Sequence, residues 1–143
     1  MRPVVCIVPC YREPVDEVLA SVESALAVQN MTSVIVVDDG AHDEKLQLLV
    51  GSRVAVIYRE GNGGPAAALN DGIPPAPDNP IICRLDVRDR FYPEAKAAQI
   101  ETVLSGKCRA SASPHYDPVK GEVCTPRADW RGRIYYVSQF TQI

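Results

Sequence analysis

This 143-residue chain has no apolar run approaching the roughly 18 residues a membrane-spanning helix needs. The opening run Pro3–Val8 is short, stops at Pro9 and has no small-residue cleavage pattern behind it, so neither a membrane span nor a secretion signal is expected. Cysteine is present but unpatterned. Cys6, Cys10, Cys83, Cys108 and Cys124 are odd in number and form no Cys-x-x-Cys pair, which fits reduced, mostly buried thiols in a cytoplasmic protein. Cys6 and Cys10 lie in or just after an apolar strand, and neither His42 nor His115 is near them in sequence, so a zinc site is not expected. No Gly-Lys-Ser/Thr phosphate loop occurs, no Gly-x-Gly-x-x-Gly turn follows the first apolar run, and no internal repeat is present. A net charge of only −3 argues against a nucleic-acid partner.

With 46% hydrophobic and 23% charged residues, the composition is that of one domain over residues 1–143. Short β-rich runs at Val4–Val8, Val34–Val37, Val54–Tyr58 and Ile81–Leu85 alternate with helical segments, a pattern that predicts βαβ units and a mostly parallel sheet. Val15, Val18, Leu19, Val22, Ala25 and Leu26 mark one face of an amphipathic helix entered after Pro14. Further helices are predicted over Asp43–Val50, Pro65–Asp71 and about Pro93–Leu104. The proline-rich stretch Ile73–Pro80 cannot continue a helix and reads as a rigid surface connection. Residues 1–106 thus form a βα core. Residues 107–143 read as a mixed-strand extension: strands at Cys108–Ser113, Glu122–Thr125 and Arg133–Phe140, with a turn-rich loop at His115–Gly121. Charge divides at the same place. Residues 1–104 hold 9 Lys+Arg against 15 Asp+Glu and residues 105–143 hold 6 against 3, a basic tail suited either to an anionic partner or to a solvated face.

The chemistry-bearing residues follow the strands. Tyr11, just after the first, can stack on a nucleobase or lie over the next helix. Asp38 and Asp39 close the second; one can accept from a base or ribose while the other caps the turn, or both can cap. The turn Gly61-Asn62-Gly63-Gly64-Pro65 after the third permits close backbone approach and opens a helix whose free N–H groups suit an anion. The fourth ends in Asp86-Val87-Arg88-Asp89, a carboxylate pair suited to a hard cation and phosphate, with a permanent cation inside it.

Taken in order, the segments Val5–Arg12, Val36–Gly40, Asn62–Asn70 and Leu85–Pro93 resemble the family 2 glycosyltransferases of the GT-A fold, over about residues 3–125. The resemblance implies an α/β, Rossmann-like nucleotide-sugar domain with a C-terminal antiparallel strand or hairpin region. Pro9 and Tyr11 would line the base, Asp39 would accept its N–H, and Asp38 would support the turn. Gly63, Gly64 and Asn70 would flank nucleotide and sugar. Asp86 and Asp89 would sit by the ribose, the diphosphate and a divalent metal, Mn or Mg, with Arg88 beside them. The implied reaction is transfer of a sugar from a nucleoside diphosphate sugar, UDP-linked by preference, to an acceptor hydroxyl. Asp39 holding only a base could be lost with little effect on the free protein's melting temperature.

The chain departs from the family pattern in three places. Arg88 stands where members usually carry the second aspartate of Asp-x-Asp, Leu69 where a basic residue is common, and the chain ends before the region that usually supplies the general base and most of the acceptor site. Arg88 has three readings: a guanidinium in place of the metal, an outward cation paired with Asp86 or Asp89, or the mark of a domain that binds nucleotide without catalysis. A non-catalytic nucleotide-sugar-binding or partner module is therefore the alternative to a hexosyltransferase. Asp117, Glu122 and Asp129 sit in no recognisable motif, so no base is named. Ile134, Tyr135, Tyr136, Val137 and Phe140 offer a strand for a homodimer or a partner chain.

Overall fold

Four apolar runs become four parallel strands: β1 (Val4–Cys10), β2 (Ser33–Asp38), β3 (Val54–Tyr58) and β4 (Ile81–Arg84), side by side in the order β3-β2-β1-β4. The structure, a computed structural model, describes residues 1–108, 111, 115–117, 121–128 and 134–139. Both faces of the central strands are covered, which is why β1 and β2 are apolar at nearly every position rather than alternating. Alternation survives in what each residue meets. Val4, Cys6, Val8, Val34 and Val36 join one buried cluster, while Val5, Ile7, Ile35 and Val37 join the other.

The first cluster is closed by α1 (Val15–Leu26), through Val18, Val22 and Ala25, and by Ile100 of α3 (Pro93–Leu104). Leu19, expected on that face, is 41% exposed; the buried position beside it is taken by Ser21. The second cluster is closed by α2 (Pro65–Gly72) through Ala68. α2 lies so close to the sheet that a β-carbon on Gly72 would stand 2.7 Å from Ile7 Cγ2.

The helix expected over Asp43–Val50 is a 3₁₀ segment, Glu44–Leu49, capped by the Asp43 carboxylate accepting from Lys45 N–H at 3.0 Å. Leu46 is its one buried residue, and Leu48 and Val50 are exposed, so little apolar burial favours a longer α-helix there.

The chain runs outward from β1 through β2 to β3, then returns to the opposite side of β1 as β4. In a parallel sheet such a reversal opens a crevice at the carboxyl ends of the two strands that flank it, here β1 and β4.

A second sheet is antiparallel, β5 (His115–Asp117), β6 (Glu122–Ala128) and β7 (Ile134–Gln139) in that order. The start of the expected loop His115–Gly121 is thus a strand, because residues 115–117 pair with 122–124 across a short reversal. β6 runs past its expected end at Thr125. Pro126 of β6 stands opposite Tyr136 of β7. Cys108 and Ser111 are not in a strand, and the rest of the expected strand Cys108–Ser113 lies outside the described residues, as do Phe140 and Asp129. Among the described residues no helix is long and apolar enough to cross a membrane. Cys6, Cys10, Cys83 and Cys108 are free thiols.

Ile7 is fully buried against α2, so Ile7→Ala should cost about 2–5 kcal/mol of unfolding free energy. Urea unfolding measures it, and a loss below about 1 kcal/mol would contradict this packing.

Candidate functional site

The crevice between β1 and β4 is a cavity of about 370 Å³, with Pro9, Cys10 and Tyr11 on one side and Arg84, Asp86 and Val87 on another. The start of α2, through Gly64, Pro65 and Ala68, and the turn residue Asn62 complete it, with Asp39 at its buried end.

Asp39 organises this end of the sheet. Its own N–H donates to Cys10 O at 2.8 Å, carrying the β1–β2 pairing one residue past the strand. Its carboxylate accepts from Gly63 N–H at 3.0 Å, from Gly64 N–H at 2.7 Å and from the Arg59 guanidinium. Arg59 in turn donates to Asp71 at 2.6 Å and to Gly61 O at 3.1 Å. A buried carboxylate is costly unless hydrogen-bonded, and here both oxygens are. Gly63 N–H, foremost, with Arg59 and Gly64, holds the Asp39 carboxyl below its ordinary value against the opposing effect of burial.

Asp38 does a separate job. Its two oxygens accept from Ala41 N–H and Asp43 N–H, each at 2.8 Å, and so hold the turn that follows β2. Gly40 has φ +89°, and a β-carbon there would run into the Gly61 carbonyl carbon and Asn62 nitrogen. The turns after β2 and β3 therefore touch backbone to backbone, which only glycine permits. Gly64, φ +86°, is the residue from which α2 starts, with Pro65 at its first turn.

Tyr11 is partly exposed at the mouth, its N–H donated to Glu13 Oε2 and its ring 4.9 Å below the Arg12 guanidinium. Glu13 also lines the cavity. Burial, reinforced by the Asp38 carboxylate, pushes the Cys10 thiol up to about 12, so it stays protonated and is no nucleophile at neutral pH.

The corner after β4 differs most from the sequence reading. Asp86 does line the cavity, but both its oxygens are taken by Arg84, Nε and Nη2 each at 3.0 Å. Arg88, 68% exposed, reaches α1: its Nε donates to Glu17 at 2.6 Å, and its φ of 77° lies in the left-handed region. Ser21 Oγ donates to Asp89 O at 3.1 Å and accepts from Arg90, while Ser24 Oγ accepts from Phe91 N–H at 3.4 Å. The polar stripe Glu17, Ser21 and Ser24 thereby clips the whole loop onto α1.

Among the described residues no group of three or more His, Cys, Asp or Glu comes together for a metal. Asp86 is paired to the Arg84 guanidinium, and position 88, where a further acid would add a metal ligand, is basic.

Of the residues singled out from the sequence, Pro9, Tyr11, Asp39, Gly64 and Asp86 meet in one cavity. Asp38 and Gly63 support it from behind, and Asn70, exposed on α2, and Arg88 are not among the residues lining it. Arg59, Arg84 and Glu13 were missed, while Asn62 was named only as part of the turn before α2. Two of them had a signal, a cation placed directly after β3 and another in the last residue of β4.

Since Asp39 ties three elements together, its replacement would weaken the free protein, contrary to the expectation for a carboxylate that only holds a base. Its folded carboxyl titrates below the 3.8 of an unperturbed one, so its stabilisation is present above that value and is lost as pH falls through the lowered one. Asp39→Asn should melt below the wild type at pH 7, with the gap closing as pH falls below the ordinary carboxylate value and wild-type Asp39 protonates. A gap in melting temperature that is the same at both ends would contradict the ionic role.

Comparison with known proteins gives the family and the fold. The model of the family described as "Glycosyl transferase family 2" matches residues 5–138. The succinoglycan biosynthesis protein ExoU of Rhizobium meliloti (strain 1021) is 35% identical over 94 residues, covering 62% of this chain and 27% of ExoU. The solved structure of residues 1–349 of S. aureus TarS superposes with a TM-score of 0.56 at 23% identity, over 72% of this chain and 32% of that one, a likeness of fold. The chain thus spans about a quarter of the first relative's length and a third of the second's. With a parallel sheet flanked by helices, the match over most of its length and the crevice at the sheet's reversal, this chain is a member of glycosyltransferase family 2 with a GT-A-like α/β fold.

Proposed function

We propose that this chain is the donor-binding part of a glycosyltransferase that moves a sugar from a nucleoside diphosphate sugar, UDP-linked, to an acceptor hydroxyl. The observation that carries this reading is the cavity at the β1–β4 reversal, where an aromatic ring, a buried carboxylate, the start of a helix and an arginine–carboxylate pair converge. Tyr11 offers its face to the base. Asp39 plays its part chiefly through the turn it holds: by fixing Gly63 and Gly64 it leaves the start of α2 open to the ribose and sugar. Departure of the diphosphate builds negative charge, so a positive group opposite it lowers the barrier most. Burial keeps the Cys6, Cys10 and Cys83 thiols protonated, and no residue is assigned as the base that would activate the acceptor.

A non-catalytic donor-binding role is the second reading, favoured by Asp86 being tied to Arg84 and by Arg88 standing in the place of an acid. Release of free nucleoside diphosphate from a panel of donor sugars, with and without manganese, separates the two: release marks a transferase, binding without release a binder. For the nucleotide itself, calorimetry should show UDP binding that Tyr11→Ala weakens by roughly 1–3 kcal/mol. Absence of any UDP binding to the wild-type chain would overturn both readings.

A further inference from the structure

We propose that Arg84, in the position where a divalent metal would be expected, is the cation that receives the donor's diphosphate; this rests on the nucleotide-sugar reading of the cavity. Each basic side chain near the strand ends has a definite partner. Arg59 is held by two carboxylates, Asp39 and Asp71. Arg88 is bonded to Glu17 on α1 and lies outside the cavity lining. Arg12 covers the Tyr11 ring. Arg84 is the one basic residue among the described residues that line the cavity.

Its position is set by the backbone rather than by chance. Arg84 is the last residue of β4, in register with Ile7 of β1, and follows the alternation in which Ile81 and Cys83 are buried and Ile82 and Arg84 exposed. Arg84 therefore leaves the sheet at the end where the crevice opens. Asp86 takes the Nε and one Nη2 proton, so the carboxylate orients the guanidinium while further N–H donors remain on a side chain that is 53% exposed. A planar guanidinium held on one edge presents the other to phosphate oxygens, a geometry that ammonium lacks and that needs no metal. Asp86 is then an orienting group and not a metal ligand.

The test compares UDP with uridine by calorimetry in EDTA, because the ratio of the two affinities isolates the diphosphate. The wild type should prefer UDP. Arg84→Ala should cut that preference by roughly tenfold or more with uridine affinity kept, and Arg84→Lys should restore part of it. An unchanged preference in Arg84→Ala, or a wild-type preference that disappears in EDTA and returns with manganese, would overturn the assignment. A wild type that binds neither UDP nor uridine would instead overturn the nucleotide reading, and this assignment with it.

Discussion

The carboxylate of Asp39 is the constraint on which the site depends. Strand β2 delivers it to the end of the sheet, and there it holds Gly63 N–H, Gly64 N–H and Arg59 together. The bonds tie together three parts of the chain: the end of β2, the turn before α2, and the residue after β3. Removing a charged acceptor from such a place breaks three part-buried hydrogen bonds at once, which is costlier than losing one bond. The glycines complete the device. Gly40 lets the turn after β2 press on the backbone of Gly61 and Asn62, and Gly64 turns the chain into α2 with its first residues facing the cavity.

A second, weaker device sets the opposite wall. The loop after β4 carries alternating charge, and left to itself it could present Asp86, Arg88 and Asp89 in several ways. Glu17, Ser21 and Ser24, spaced along one stripe of α1, choose among them by binding Arg88, the Asp89 carbonyl with Arg90, and Phe91 N–H. The exposed Glu17–Arg88 pair is worth little alone in water. Its effect lies in geometry: with Arg88 drawn to α1, Asp86 is left to Arg84. The acidic corner is thereby neutralised by an arginine two residues before it rather than two after.

Much of the fold was legible because its causes are local. Apolar runs of strand length, a 3.6-residue stripe in α1, prolines at the starts of α2 and α3, and the proline-rich link before β4 all act within a few residues. The misreadings share one cause, competition settled by distant partners. Residues 115–117 look like a turn until β6 pairs with them, and the acids and Gly51 around residues 43–50 suggest a longer helix until burial leaves only Leu46 to anchor it. Leu19 obeys the helical period yet faces out: the buried arc of α1 runs through Val18, Ser21, Val22 and Ala25, with Ser21 bonded to the loop after β4.

By itself the sequence determined the elements, their parallel character and the fact that strand-end motifs at Tyr11, Asp38-Asp39, Gly63-Gly64 and Asp86 belong to one edge, since every strand in a parallel sheet points the same way. Tertiary structure decided which partner each charged group takes. Side chains as long as arginine reach several carboxylates, and the choice depends on distances set by strands and helices remote in sequence: Arg59 to Asp39, Arg84 to Asp86, Arg88 to Glu17. Spacing along a chain does not encode those distances; packing of α1 and α2 on opposite faces of the sheet does.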